Sequence, residues 1–549
     1  MSILSILAST SPQTPGPTTP PTNLHFSTTA LERGVFDFFR IRMADPIEIM
    51  SPAKGWVQQA LQLSLVSKAV FHGIAALSSA NLAIASVSHA AFTGLTRPEM
   101  HNEALLQYSK AIAALHVQIR RVLEDQAPVE PVLLACILLM CFELHAENSS
   151  MALRHLLLGR RIAYMHLNAR KRSLASPVQR SDALQQLASA FDKLSFGSTL
   201  AENESIVETT PDSRAQISEV TLHAPPNPLV NAWAQLDRLI DASTQLRREL
   251  YRLADREVVA SYGDSLDKET RYCLATCTSR VVKAGSTVLT GIRNLLKAHD
   301  QWKTAFARHF ESPDPQTTRA FQLLQVRHWT SLFTLATCRE THETTTDQFE
   351  PDFSRIVDLA QRYLAPWTSP FRPVKPRSMY GNGQDDRFCL EDGILPALYL
   401  IALKSRTSST RHRAVEIMAD ANRREGIGSS TITAQIAGNI VRIEEGRARA
   451  LTGSSCGDLG CGQVPEAGRL ADITRAAGDD LNRPVCRLVC ARYLHESDGG
   501  IEVVEYLSKG PCYPYTKCAG HCLTGFNFEK SKGEVRYALP GLMRLGDTG

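Results

Sequence analysis

Eight residues near the end of the chain have the right chemistry to hold a metal: Cys456 and Cys461, Cys486 and Cys490, then Cys512, Cys518, His521 and Cys522. A structural zinc ion takes four thiolates or imidazoles, usually with two supplied by one C-x2-C knuckle. No C-x2-C pair occurs in the chain. If Cys486 and Cys490 lie on a strand, they share one face and suit core packing equally well. The seven cysteines therefore read as free thiols, and no metal ligand is assigned.

Other chemistry-bearing stretches are weaker. Tyr272–Cys277 (YCLATC) and Ala135–Cys141 (ACILLMC) place small thiols among apolar helical residues, the pattern of buried packing. Gly-rich GNGQDD at Gly381 and GDLGCG at Gly457 neither follow a strand nor carry the lysine of a phosphate loop. His342–Asp347 (HETTTD) lacks the second histidine of a zinc-protease helix. No nucleophile elbow is read. The expectation is a non-enzyme: no catalytic residue, no cofactor-binding residue and no cofactor.

The elements around these residues must explain the chain. Its 549 residues carry a formal net charge of +4, with 43% hydrophobic and 21% charged residues. That is long enough for several cores, and nothing global marks a nucleic-acid coat or a polybasic anchor. The apolar start MSILSILAST has no preceding cation, so a secretory signal is not expected. Most of the 13 cysteines then read as reduced thiols of the cytosol or nucleus. The run Val132–Phe142 falls well short of the roughly 20 residues needed to span a bilayer. It reads as a core helix, and no membrane partner is expected.

Residues 1–30 are rich in Ser, Thr and Pro and are expected to be disordered, with Ser11-Pro12, Thr14-Pro15 and Thr19-Pro20 as alternative phosphorylation sites or plain solvated leader. From 31 to 450 the pattern is helical. Leu105, Tyr108, Ile112, Leu115, Ile119 and Val122 form one stripe, with Thr96 and Glu99 at capping-box spacing before it. Leu229, Trp233, Leu236 and Ile240 form another, and Trp302, Phe306 and Phe310 a third. After His145, AENSS offers Asn148 or Ser149 as a cap for a second helix through Leu153, Leu156 and Ile162, predicting an αα-hairpin. Residues 195–228 are polar, acidic and proline-ended, and read as a mobile loop; 371–388 reads as a connection. Beyond 451 a linker leads to a Cys-containing tail, where Asp498-Gly499-Gly500 signals a β-hairpin. The expected fold is all-α, an array of packed αα-hairpins over 31–450, with a small hairpin and irregular tail over 451–549.

Three ordered segments resemble the C-terminal regulatory region of fungal binuclear zinc-cluster transcription factors. They are GWVQQALQLSLVSKAVFHGIAALSSAN (Gly55–Asn81), HNEALLQYSKAIAALHVQIRRVL with EPVLLACILLMCFELHAENSSMALRHLLLGRRI, and Phe388–Ile427; DQFEPDFSRIVDLAQRYL fits between them. The resemblance covers roughly residues 31–450. It implies a nuclear regulator of transcription, tuned through protein partners, through pairing with itself or with full-length relatives, and through a small-molecule effector.

Two departures qualify it. The family's DNA reader is a six-cysteine, Lys/Arg-rich zinc cluster, whereas no cysteine precedes Cys136 and only Arg33, Arg40 and Arg42 are cationic before Lys54. Loss of the module and an upstream exon outside this sequence both account for that, and direct DNA binding is not expected of these 549 residues. Gly428 stands where family members usually carry an aromatic side chain. Arg160-Arg161 with Arg170-Lys171-Arg172 reads either as a nuclear import signal or as a solvated helix end. The competing reading of the whole chain is a cytoplasmic helical scaffold or adaptor.

Overall fold

The computed structural model describes residues 26–40, 54–84, 95–172 apart from 125 and 147, 183–191 apart from 189, 228–309, 315–364, 387–389, 393–425 apart from 422, 428–453, 459–477, 485–494, 500–511, 528–530 and 535–537. The proline-rich leader before 26 with its Ser/Thr-Pro pairs, nearly all of the insertion 195–228, and most of the connection 371–388 lie outside the described residues.

The first body is helical: α1 (Ala30–Phe38), α2 (Lys54–Ser64), α3 (Lys68–Ile84), α4 (Arg97–Leu123), α5 (Glu130–His145) and α6 (Ser149–Arg172), with helical residues 183–188. Helix α5 is apolar all round, and every residue from Pro131 to Leu144 is buried. A helix without a polar face must sit at the centre of a bundle, and α3, α4, α6 and α2 pack around it. The apolar run is thus core. Among the described residues no single helix is long and apolar enough to cross a membrane. Helix α4 starts as its sequence predicts: the Thr96 amide donates to the Glu99 carboxylate at 2.7 Å, and Pro98 occupies the first turn. Asn148 caps α6, its Oδ1 accepting from the Met151 amide at 3.3 Å. The α5–α6 hairpin therefore forms at the residues expected.

The second body contains α7 (Pro228–Tyr262), α8 (Lys268–Val281), α9 (Ser286–Phe306), α10 (Pro315–Ala336), α11 (Glu350–Leu364), α12 (Leu395–Lys404), α13 (Ser408–Ala421) and α14 (Ser430–Thr452). Its core gathers Trp233, Trp302, Phe306, Phe321, Trp329, Phe333, Phe353 and Tyr363. The Trp302 indole donates to the Ala232 carbonyl at 2.8 Å, which satisfies its one polar atom inside the core. The main cores of the two bodies share no residue: one draws on Phe36 to Phe191, the other on Ala232 to Tyr506.

The C-terminal hairpin is present. Strands β5 (Val485–Leu494) and β6 (Gly500–Pro511) pair antiparallel, with Leu494 opposite Gly500. The sheet exceeds that hairpin. Strand β4 (Asp472–Ala477) flanks β5, while β7 (Phe528–Lys530) and β8 (Val535–Tyr537) both pair with β6. Alternation along the strands gives the sheet two apolar faces. Val489, Ala491, Tyr493, Ile501 and Val503 pack on Cys273, Leu274 and Cys277 of α8, whereas Leu488, Cys490, Val504 and Tyr506 join the main helical core. The sheet is held between α8 and the other helices. Residues 459–468 also pack inward: Leu459 and Val464 are buried with Ala448.

A second, smaller sheet was not foreseen. Strand β1 (Arg387–Cys389) runs parallel to β2 (Arg423–Glu425), which pairs with β3 (Gly428–Ser429); Gly428 lies opposite Glu425. Its purpose is visible in Glu425, whose carboxylate accepts from the amides of Gly393, Ile394 and Leu395 at 2.9, 3.1 and 2.8 Å. A carboxylate there satisfies orphan donors at the start of α12 and meets the positive end of its dipole.

Close approach also decides Gly159 in α6. A Cβ at this position would overlap the Phe191 ring and press on Cys136 of α5. Gly159→Ala is expected to cost about 1–3 kcal/mol through overpacking, read as a lower urea midpoint in chemical denaturation. An unchanged midpoint would mean the 183–191 segment does not seat on α6 this way.

Candidate functional site

A cluster of charged side chains lies in the interior, where the sheet meets the helices. Glu343 opens the 3-10 turn Glu343–Phe349 and is buried. Its carboxylate accepts from Arg280 Nη1 at 2.7 Å and Lys404 Nζ at 2.8 Å, and Arg406 Nη2 lies 3.8 Å away. Burial pushes its pKa up, but Lys404, Arg280 and Arg406 outweigh burial and hold it at about 2. Lys404 moves the other way: burial lowers its ammonium pKa against the pull of Glu343.

A second carboxylate, Glu444 of α14, pairs with Arg411, accepts from the Leu470 amide at 2.7 Å, and has Arg406 Nη1 at 3.5 Å. Arg406, Arg411 and Glu444 are all 0% exposed. Arg469 donates to both oxygens of Asp347 at 2.5 and 2.9 Å. Lys404 Nζ and Arg280 Nη2 both reach the Ala471 carbonyl, just before β4, at 3.0 Å. The lattice thus joins α8, the 3-10 turn, the α12–α13 corner, α14 and the sheet. Three of its guanidinium nitrogens, Arg406 Nε and Nη2 and Arg411 Nη1, make no hydrogen bond among the described residues. Most of the lattice is buried, and the Glu343 carboxylate at about 2 is far from a general base poised near neutrality. The lattice ties these elements into one fixed geometry.

A Ser–His contact lies in the same body. Ser243 Oγ and Ser331 Oγ approach His299 Nε2 at 3.2 and 3.4 Å, and His328 Nε2 contacts the His299 carbonyl at 3.0 Å. Trp302 stacks on His328 at 4.7 Å. A nucleophile pair needs access and a group to orient the base. Here Ser243 and His299 are buried, and His299 Nδ1 makes no hydrogen bond among the described residues. Burial lowers His299 to about 3 and His328 to about 4, too weak a base to activate a serine.

A nucleophile-elbow spacing does occur in the chain, contrary to expectation. Gly453-Ser454-Ser455-Cys456-Gly457 has G-x-S-x-G spacing. It follows a helix, with Gly453 as the left-handed cap of α14 at φ 68°, whereas a nucleophile elbow sits between a strand and a helix. Among the described residues no group of three or more His, Cys, Asp or Glu is placed to hold a metal ion. Cys490 is buried in the core, and Cys456, Cys512, Cys518, His521 and Cys522 lie outside the described residues. Burial pushes the Cys136 thiol up to about 12 and raises Cys141 further, so both are inert packing groups.

In the first body two polar clusters tie helices together. Glu32 of α1 meets Lys110 at 2.7 Å and Gln107 at 3.0 Å on α4. Burial pushes Glu32 up, but hydrogen bonds from Lys110, Gln107 and the Thr29 amide prevail and hold it at about 2. Tyr108 of α4 donates to Glu143 of α5 and lies 3.4 Å from His155 Nε2 of α6.

The surface feature sits on α6. This 24-residue helix has no acidic residue and carries Arg154, Arg160, Arg161, Arg170, Lys171 and Arg172. Arg160 is buried beside Tyr164, so the first pair of the import-signal reading is split between interior and solvent. Arg154, Leu158, Arg161 and Met165 are exposed, Leu158 by 55% and Met165 by 60%. Their spacings of four, three and four put them on one face. Reading the cations alone missed this face; the signal was the lack of any acid and the two apolar residues interleaved with arginine.

A family described as "fungal specific transcription factor domain" matches residues 35–359. The Aspercryptin biosynthesis cluster-specific transcription regulator atnN of Emericella nidulans is 39% identical over 77 residues, which is 14% of this chain and 12% of that protein's length. No solved structure matches.

Proposed function

The chain belongs to the fungal-specific transcription factor domain family, and from that premise we propose that it is a nuclear regulator of transcription acting through protein partners. The family match carries the reading, because it covers the first body and runs on into α11 of the second. The name of atnN, a cluster-specific transcription regulator, points the same way. Two physical features support a role by contact. Glu343, Arg406, Arg411 and Glu444 of the second body are buried and paired with charges of opposite sign, as in a scaffold with fixed shape. Among the described residues, α6 of the first body presents an exposed face that is both apolar and basic. Self-association, pairing with full-length relatives and a small-molecule effector are the inputs that this reading allows.

The test is a fluorescently tagged chain at native expression in a fungal host, with transcript profiling of the deletion strain. Nuclear signal and a restricted set of changed transcripts are expected. Steady exclusion from nuclei with an unaltered transcript profile would sink the proposal and favour a cytoplasmic adaptor.

A further inference from the structure

We propose that the face of α6 bearing Arg154, Leu158, Arg161 and Met165 docks an acidic amphipathic helix of a partner protein; this rests on the reading that the chain works through protein contacts. The core does not need this face. Leu153 and Leu156 on the same helix are buried, yet Leu158 and Met165 are more than half exposed. The two apolar side chains are seven residues apart, two turns of one helix and about 10 Å along its axis. Arg161 sits between them, and Arg154 lies one turn before Leu158. Among the described residues neither arginine forms an ion pair.

Charge selects the occupant. A helix of 24 residues with six cations and no acid repels a basic partner and attracts a carboxylate-rich one. The apolar members select further. Nucleic-acid backbone is gripped by cations and polar groups, and two half-exposed apolar side chains contribute nothing to a phosphate. A membrane surface calls for a wide apolar face embedded below the headgroups, whereas here two side chains interrupt a line of arginines. A helix laid in register, with apolar residues about two turns apart and carboxylates flanking them, covers Leu158 and Met165 and pairs with Arg154 and Arg161. This is helix-against-helix recognition by spaced anchors.

The experiment is fluorescence anisotropy on the purified full chain. The probe is a labelled 18-residue peptide with Leu and Phe at helical spacing and Glu and Asp elsewhere. Binding that weakens with salt is expected, as is a loss of about tenfold or more for Leu158→Glu and for Arg161→Glu. Leu289→Glu, an exposed site in the second body, should leave binding unchanged; circular dichroism checks that each variant is folded. Equal binding by wild type and both α6 variants would overturn the proposal, as would no binding at all. Preference for anionic vesicles or a DNA duplex over the peptide at matched charge would also overturn it. A peptide of residues 195–228, which contains Glu202, Glu204, Glu208, Asp212 and Glu219, serves as competitor. Displacement of the probe by it at lower concentration than by the unlabelled probe would assign the face to this chain's own acidic stretch and reject an external partner. Cytoplasmic location of the tagged chain with peptide binding intact would reject the nuclear reading and leave the docking face standing.

Discussion

Replacing Glu444 with leucine is expected to remove about 3–5 kcal/mol from the stability of the second body. Glu444 is fully buried, pairs with Arg411, faces Arg406 and accepts from the Leu470 amide. Its loss strands the Arg411 guanidinium and weakens the pairing of Arg406, both 0% exposed, and an uncompensated buried charge is the costly outcome. It also removes the acceptor that fixes Leu470 before β4, so the sheet loses part of its seat. Tryptophan fluorescence follows this body through Trp233, Trp302 and Trp329, and its thermal midpoint should fall by roughly 6–20 °C. The double variant Arg411→Leu with Glu444→Leu should recover part of that loss, because Arg406 keeps Glu343 as its counter-ion. If the double variant is as unstable as the sum of the singles, the two groups are not coupled and the pairing is not what holds this corner.

Mild acid is expected to weaken the same body before its Glu343 carboxylate titrates. His299 and His328 are buried, with pKa values lowered from 6.5 to about 3 and about 4. The folded state therefore keeps both rings neutral at pH 5, while the unfolded chain takes up protons below pH 6.5. Stability is fully present above 6.5 and is lost as pH falls toward 4 and 3. At pH 5 the loss is about 2 kcal/mol for each ring, about 4 kcal/mol for the pair. The depressed carboxylate Glu343 adds its own loss only below its ordinary pKa of 4.5, as pH falls toward about 2, so the two windows separate. His412 runs in the opposite sense: its hydrogen bond to Glu445 raises its pKa, giving stability that is present in acid and lost as pH rises. It is half-exposed, and solvent screening keeps its contribution small. Urea denaturation at pH 7 and pH 5 checks the net result. His328→Gln keeps a donor toward the His299 carbonyl and should remove about half of the acid loss. A midpoint that does not move between pH 7 and pH 5 would show that these rings are not buried neutral.

The local parts of this fold were legible in the chain. Helix α5 was identifiable because Val132–Phe142 is apolar on every side and too short for a bilayer, which leaves only the centre of a bundle. Thr96 with Glu99, and Asn148, announced helix starts because a cap needs only its own next three residues. Asp498-Gly499-Gly500 announced the hairpin of β5 and β6 for the same reason. Strand β4, the late strands β7 and β8 and the small sheet β1–β3 were missed. Each is three to six residues long, apart from the two of β3, and such runs carry too little alternation to stand out from loop.

The sequence by itself determined the material of this protein: amphipathic helices, one central apolar helix, one β-hairpin and an all-α class. Only the tertiary structure decided what each charge meets. Glu343 and Lys404 are 61 residues apart in the chain, Glu425 caps a helix that starts 30 residues earlier, and Cys273 lies against Val489 across 216 positions. The reason is that caps, turns and helical stripes are settled by neighbours along the chain, whereas a buried carboxylate's partner depends on which distant segment returns to it. The same return left Arg154, Leu158, Arg161 and Met165 outside, a surface that becomes visible only when the rest of α6 is seen to be buried.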